Sequence, residues 1–91
     1  MREYIPKSGL TKYRIRELYA FCRQYEQKPS DKRKKIEAAA LVAADGNEII
    51  YEALMRNVTQ GIAFSALDVP CSKNTFSKTR QKFFLLLDKV V

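Results

Sequence analysis

The chain has 91 residues, and 46% of them are hydrophobic, which indicates one small folded domain rather than a disordered or low-complexity chain. It contains no histidine and only two cysteines, so the commonest general base is missing and a four-cysteine zinc site is excluded. The net charge of +7 favours a polyanionic partner, and no apolar run reaches the ~20 residues that a membrane-spanning helix needs.

The charge is divided between segments of the chain. Residues 1–35 hold 11 basic and 4 acidic side chains, residues 36–70 hold 1 and 5, and residues 71–91 hold 5 and 1. Such segregation favours a polyanion-binding face, and a solubilising charge pattern is the alternative.

Residues 1–10 are predicted to be a flexible arm, because Pro6 and Gly9 interrupt them and no periodicity runs through them. They lack the apolar segment of a signal peptide, so we expect a cytoplasmic protein with reduced thiols. We expect no membrane contact, no bound metal and no cofactor.

Residues 11–44 are predicted to form a pair of helices. Thr11 can cap the first helix, which runs to about Gln27 with an apolar stripe at Ile15, Leu18, Phe21, Cys22 and Tyr25. Pro29 disfavours helix at the residue before it, and Ser30 or Asp31 can cap a second helix over 31–44.

The second predicted helix opens with a basic run, Lys32, Arg33, Lys34 and Lys35, and then turns apolar and alanine-rich. Four cations at a helix N-terminus oppose the helix macrodipole. The run is a candidate phosphate contact. A solvated helix start is the alternative, and an RNA or membrane-surface role is a third interpretation.

Residues 47–89 are predicted to form a tri-helical unit with helices over about 47–60, 62–69 and 72–89. Gly46 and Gly61 are suited to end the helices before them, and Ser72 can cap the last helix. Its stripe is predicted at Phe76, Thr79, Phe83, Leu86, Leu87 and Val90. With the N-terminal pair, this gives an all-α, compact five-helix domain over residues 1–91.

Residues 62–82 fit a helix-turn-helix frame at the C-terminus of the domain. The frame needs a small residue where the second helix crosses the first, and Ala66 stands there. Ser65 and Val69 take its core-facing positions, and Phe76 takes the buried position on the second helix. Pro70 replaces the usual turn glycine. An ordinary helical corner with a solvated last helix is the alternative.

The second helix of this frame would present polar and basic side chains to DNA. Asn and Gln bind adenine edges, Lys binds guanine or phosphate, and Ser adapts to either. Arg80 and Lys82 lie further round, towards the backbone phosphates. The candidate contacts are Ser72, Lys73, Asn74, Ser77, Lys78, Arg80, Gln81 and Lys82.

The segment 57–89 resembles the C-terminal part of small prophage-encoded proteins of Gram-positive bacteria, which are helix-turn-helix regulators. The resemblance rests on Gly61-Ile62, on Val69 to Phe76 and on Arg80 to Lys89. The stretch Ser72 to Phe76 is also similar to the start of the recognition helix in sigma-factor region four and in response-regulator domains. This resemblance implies DNA binding through residues Ser72 to Gln81.

The sequence therefore predicts sequence-specific binding of double-stranded DNA by a phage or prophage transcriptional regulator, with helix 72–89 in the major groove. We expect a homodimer paired through residues 11–44, and RNA polymerase or another protein is a candidate partner. The alternative function is a protein–protein interaction adaptor or anti-repressor built on the same helices.

Other residues carry weaker signals. The tyrosines Tyr4, Tyr13, Tyr19, Tyr25 and Tyr51 can stack on bases if exposed, and core packing is the alternative. Glu48 and Glu52 lie one turn apart and could chelate a cation, but a solvated face is the alternative, as it is for Asp45 and Asp68. We expect no enzymatic activity.

Overall fold

Four α-helices form the fold in the computed structural model, which describes residues 11–91. They are α1 (Lys12–Arg23), α2 (Ser30–Ala43), α3 (Glu48–Gln60) and α4 (Lys73–Val90). Single 3₁₀ turns occur at Tyr25–Gln27 and Phe64–Ala66. No strand occurs in this part of the chain. The all-α prediction is confirmed, with four helices in place of the five predicted, and the predicted arm over 1–10 lies outside the described residues.

Side-chain caps fix three of the helix starts where the sequence predicts them. The hydroxyl of Thr11 accepts a hydrogen bond from the backbone N–H of Arg14, and that of Ser72 accepts one from Thr75. The Asn47 side chain accepts bonds from two backbone N–H groups of α3. Helix α2 differs, because it already begins at Ser30 and the preceding Pro29 offers no side-chain cap.

The left-handed residues that end two helices are also where the sequence predicts them. Gly61 has φ +73° after α3, and Gly46 has φ +77° after α2. Asp45 shares the left-handed region with φ +55°. The first helix, in contrast, ends at Arg23 rather than at Gln27, and a 3₁₀ turn carries the chain on towards α2.

One hydrophobic cluster holds the four helices together. Helix α4 packs most extensively on α2 and also contacts α1, while α3 packs on both α1 and α2. The alanines of α2 let its neighbours approach closely. The side chains buried in this cluster are Leu18, Cys22, Ile36, Ala39, Ala40, Ala43, Ala53, Leu54, Val58, Phe76, Phe83, Phe84 and Leu87.

The segment between α3 and α4 does not contain the helix predicted over 62–69. It is extended on either side of the 3₁₀ turn. Phe64, Leu67, Val69 and Cys71 are half-buried against the core, and Ile62 is half-buried as well. Ser65 was expected to face the core and Ala66 to lie under the crossing helix, but both are exposed. The tight turn and close crossing of the predicted helix-turn-helix frame are therefore not formed at these positions.

Candidate nucleic-acid interface

The N-terminal half of α4 is mostly uncovered. Of the eight candidate DNA contacts, seven are exposed: Ser72, Lys73, Asn74, Ser77, Lys78, Gln81 and Lys82. Between Ser72 and Lys82 only Phe76 is buried, while Thr79 and Arg80 are half-buried. This part of the helix is thus attached along one narrow edge, and most of its circumference faces solvent.

Two contacts hold that edge in place. The ring of Phe76 packs against Phe64 of the preceding segment, with 5.3 Å between the ring centroids. The Ser72 hydroxyl caps the first turn and also donates a hydrogen bond to the Thr75 hydroxyl. The exposed face of α4 is therefore supported by an aromatic pair and a formed cap, which fix the orientation of its first turns.

Arg80 is the candidate residue that points inward. Its Nε donates a hydrogen bond of 2.8 Å to the side-chain oxygen of Asn57 on α3. Its guanidinium carbon lies 5.4 Å from the ring centroid of Tyr19 and 4.9 Å from that of Phe84. Burial lowers the pKa of Arg80. The side chain therefore joins α4 to α1 and α3, and it is poorly placed for a phosphate contact.

The position of Arg80 could have been found from the sequence by spacing alone. Phe76, Arg80 and Phe84 follow one another at intervals of four residues, so they share one face of a helix. The predicted stripe included Thr79, Leu86 and Val90 instead. In the structure Thr79 and Leu86 are half-buried, Val90 is exposed, and Phe84 is buried.

The exposed face of α4 is positively charged, and the stretch of sequence that forms it contains no acidic residue. No Asp or Glu lies between Ser72 and Lys82, and the acidic residue of α4, Asp88, pairs with Arg14 near the other end of the helix. At 1.5 Å per residue, Lys73 and Asp88 are about 22 Å apart along the axis. Within residues 11–91 the cations of the first turns of α4 form no ion pair, so they can attract an anionic ligand.

The basic run of α2 lies towards the other end of α4. Lys34 and Lys35 line a groove with Leu86 and Val90, which belong to the last turns of α4. Lys34 is exposed, whereas Lys32, Arg33 and Lys35 are half-buried. The Nε of Arg33 is buried and has no hydrogen-bond partner within residues 11–91. The structure thus places the two groups of candidate contacts along α4 rather than at one point.

The described tyrosines differ in their exposure. Tyr13 on α1 is 66% exposed and is accessible for stacking. Tyr19 packs near Arg80, and the Tyr25 hydroxyl donates a hydrogen bond to Glu37 of α2. Tyr51 is half-buried, so three of the four described tyrosines take part in packing. Tyr4 lies outside the described residues.

The acidic candidates of α3 lie beside Lys34 of the basic run. Glu48 and Glu52 are exposed and line a groove between α2 and α3 together with Lys34, Glu37 and Tyr51. Asp45 and Asp68 are also exposed. Within residues 11–91, no group of three or more acidic or cysteine side chains is arranged to hold a metal ion.

Across the part of the chain that the structure describes, no helix has the length and apolar character needed to cross a bilayer. Comparison with known families, with curated proteins and with solved structures gives no match to this chain.

Proposed function

We propose that this protein binds double-stranded DNA by placing the N-terminal half of α4 in the major groove. The observation that carries the proposal is the exposed, acid-free face formed by seven polar and basic residues at the start of that helix. Side chains of these types provide both phosphate attraction and base-edge hydrogen bonds.

The dimensions of α4 support this mode of binding. A helix with its side chains is about 10–12 Å across, and the major groove is about 12 Å wide. Helix α4 can enter it only where neighbouring helices do not crowd its sides. Its first turns meet that condition because their contact with the protein runs through Phe76 and Arg80.

The proposed roles follow from position on this face. Asn74 and Gln81 can pair with adenine edges, and Lys73 and Lys78 with guanine or phosphate. Lys82 and the basic run of α2 would contact backbone phosphates further along the duplex. Arg80 would position the helix through Asn57 rather than touch DNA. The unit that presents α4 is α3, the extended segment over residues 61–72, and α4.

A role in transcriptional regulation follows from the resemblance of residues 57–89 to small prophage-encoded regulators. We propose that the chain acts as a regulator of this type, with RNA polymerase as a candidate protein partner.

The test is fluorescence anisotropy with a labelled duplex of about 25 base pairs at several salt concentrations, with single-stranded DNA and heparin as competitors. If about four Lys or Arg side chains neutralise phosphates, log K falls against log salt with a slope of about −3.6. We expect the Lys73/Asn74/Lys78 triple alanine variant to lose duplex binding. Heparin binding equal to duplex binding, together with no effect of the variant, would contradict the proposal.

A protein-interaction adaptor or anti-repressor is the second candidate function. It is favoured by Leu41 and Val42 on α2, which are 49% and 54% exposed. The same triple alanine variant separates the two functions, because an adaptor that binds through α2 would retain its partner when the face of α4 is changed.

A further inference from the structure

An apolar groove lies between α2 and the last turns of α4, and we name it the α2–α4 groove. Its volume is about 350 Å³, within the range of about 300–1,000 Å³ that is typical of small-molecule sites. The α2 wall contains Ala38, Ala39 and Val42, and the α4 wall contains Leu86 and Val90. Because two of the α2 side chains are alanines, they leave a depression beside the larger side chains of α4.

The walls of the α2–α4 groove are apolar and open to solvent. Val42 is 54% exposed and Val90 is 47% exposed, although both lie beside the buried Ala39. An apolar ligand in the groove would remove these side chains from water, and each buried methylene group of the ligand would contribute to its affinity. The groove is therefore suited to a ligand with an apolar chain.

The charged residues that line the groove are Lys34 and Lys35, and none of its lining residues is acidic. Because the lining is almost wholly apolar, the two lysines contribute their methylene stems to the wall and keep their ammonium groups at the rim. Within residues 11–91 the salt bridges involve Arg14, and neither lysine takes part in one. An anionic group at the rim would thus meet positive charge.

The two lysines differ in their other neighbours. Lys34 also lines the acidic groove between α2 and α3, together with Glu37, Glu48 and Glu52, whereas Lys35 does not line that groove. The carboxylates there offset part of the charge of Lys34. Lys35 is therefore the main cation for a ligand of the α2–α4 groove, and Lys34 assists it.

The lysines stand at one end of the α2–α4 groove. They precede Ala38 by one turn of α2 and Val42 by two turns, so about 12 Å of helix axis separates Lys34 from Val42. A matching ligand has an anionic group at one end and an apolar chain about 10–12 Å long. With C–C bonds of about 1.5 Å, an extended chain of about eight to ten carbons has this length.

We propose that the α2–α4 groove binds a straight-chain carboxylate of about ten carbons, which is a medium-chain fatty acid. Its carboxylate lies at the ammonium groups of Lys35 and Lys34, and its chain lies between Val42 of α2 and Leu86 and Val90 of α4. A neutral hydrocarbon would leave the cations unused, and a nucleic-acid phosphate has no apolar part for the walls. This inference does not depend on the proposed DNA binding.

The experiment is a titration of the full chain, without DNA, with sodium decanoate below its micelle-forming concentration. The readout is NMR of the isoleucine, leucine and valine methyl groups. We expect saturable shifts at Val42, Leu86 and Val90. The methyl groups of Ile49 should not shift, because Ile49 is 55% exposed but lies on α3 outside the groove.

A carboxylate in the wall tests the site itself. Val42→Asp should raise the dissociation constant for decanoate at least about tenfold, because it places a negative charge beside the apolar chain. Ile49→Asp is the matched control and should bind decanoate as the wild type does. Both substitutions are at exposed positions, and far-UV circular dichroism confirms that each variant remains helical.

The charge and length of the ligand test its chemical class. Lys34→Gln/Lys35→Gln should raise the dissociation constant for decanoate about fivefold, as expected for ion pairs at a solvated rim, and should leave that for decanol unchanged. Lys12→Gln/Arg16→Gln removes the same charge from α1 and should have no effect. Affinity should rise from hexanoate to decanoate and then level off, because a longer chain extends beyond the groove.

Any of four results would overturn the inference. The first is the absence of saturable shifts at Val42, Leu86 and Val90, and the second is unchanged decanoate affinity in Lys34→Gln/Lys35→Gln. The third is shifts of the same methyl groups with protein concentration alone, which would show a second copy in the groove. The fourth is binding to vesicles of anionic phospholipid without binding of free decanoate, which would show a membrane contact.

Discussion

Arg80 holds the first half of α4 against two other helices through a single guanidinium group. Its hydrogen bond to Asn57 and its positions over Tyr19 and Phe84 use the planar shape of the group as well as its charge. Asn57 in turn donates a bond of 2.9 Å to the backbone carbonyl of Ile62, so the same contact also fixes the segment that leaves α3.

We expect Arg80→Ala to lower the free energy of unfolding by about 2–3 kcal/mol, the sum of one hydrogen bond and two cation–π contacts. Arg80→Lys should restore little of this lost free energy, because an ammonium group is not planar and cannot stack on the rings of Tyr19 and Phe84. Urea denaturation measures both, with the exposed Gln81→Ala as control. Equal stability of Arg80→Ala and Gln81→Ala would contradict the structural role of Arg80.

The two thiols are predicted to differ in reactivity. Cys22 is fully buried, and burial raises its pKa from 9.0 to about 12, whereas Cys71 is half-buried in the segment before α4. A thiol reagent should therefore modify Cys71 quickly in the folded protein, and Cys22 only after the protein unfolds. Mass spectrometry of the modified protein identifies each site, and rapid modification of Cys22 would contradict its burial.

The same shift predicts a loss of stability in alkali. Above pH 9 the unfolded chain gives up the Cys22 proton while the folded chain keeps it up to about pH 12. The unfolded state then binds fewer protons, so stability falls as pH rises through this range. Tyr25 acts in the same direction, because its hydrogen bond to Glu37 raises its pKa to about 12. Melting temperatures should fall from pH 9 to pH 11, and Cys22→Ala should fall less steeply.

At the scale of the elements, the two glycines that follow α2 and α3 differ in their surroundings. A side chain at Gly46 would meet backbone strain alone, whereas one at Gly61 would also meet neighbouring side chains. Gly46 and Gly61 both have positive φ, but a Cβ at Gly46 would meet nothing within 4 Å, while one at Gly61 would overlap Nη1 of Arg23 and lie 3.1 Å from the hydroxyl of Tyr19. The Arg23 guanidinium lies 5.9 Å from the ring centroid of Tyr19, and an added methyl group would displace it.

We expect Gly46→Ala to lower the free energy of unfolding by about 1 kcal/mol, because alanine is strained in the left-handed region. Gly61→Ala should lower it further, because the new methyl group also displaces the Arg23 guanidinium from its contact with Tyr19. In an Arg23→Ala background the difference between the two costs should shrink to what the Tyr19 hydroxyl, 3.1 Å from the added Cβ, contributes, and a double-mutant cycle measures the change. A Gly61→Ala cost that does not depend on Arg23 would show that the contact has no energetic weight.

Helix starts and ends were largely predictable because single residues determine them. Thr11, Asn47 and Ser72 supply caps, and Gly46 and Gly61 supply left-handed ends, so local chemistry alone locates four helices to within a few residues. The helix predicted over 62–69 failed for a reason visible in the same residues. Ile62 and Phe64, then Leu67, Val69 and Cys71, alternate at spacings of two, which suits an extended segment.

The exposed surfaces were predictable to different extents. The polar residues of α4 could be assigned to the outside because nothing in their pattern suits a core, and seven of the eight are exposed. The charge of Arg80 predicts an exposed side chain, whereas its spacing from Phe76 and Phe84 places it on the inner edge of α4. Leu41 and Val42 are exposed because the other helices pack on the opposite face of α2. The run from Ala38 to Ala44 is apolar at every position, so its sequence has no periodicity that predicts which face is buried.

At the scale of the whole molecule, basic side chains lie towards both ends of α4. Lys73 and Lys78 stand on its first turns, and Lys34 and Lys35 stand beside its last turns. The acidic groove between α2 and α3 shares Lys34 with the groove beside the last turns of α4. A duplex bound along the first turns of α4 would therefore follow Lys73, Lys78 and Lys82, and would come near acidic side chains only where it reaches Lys34.

The most direct test of this account compares two variants that lose the same charge. Lys73 is the first residue of α4 and Lys12 is the first residue of α1, and both follow a hydroxyl cap. The variants are Lys73→Ala/Lys78→Ala and Lys12→Ala/Arg16→Ala, and all four side chains are exposed. The measurement is the slope of log K against log salt for duplex DNA.

We predict a slope of about −3.6 for the wild type and the α1 variant, and about −1.8 for the α4 variant, because two of about four phosphate contacts are lost. Equal slopes for the two variants would contradict the account, because binding would then depend on net charge and not on the face of α4.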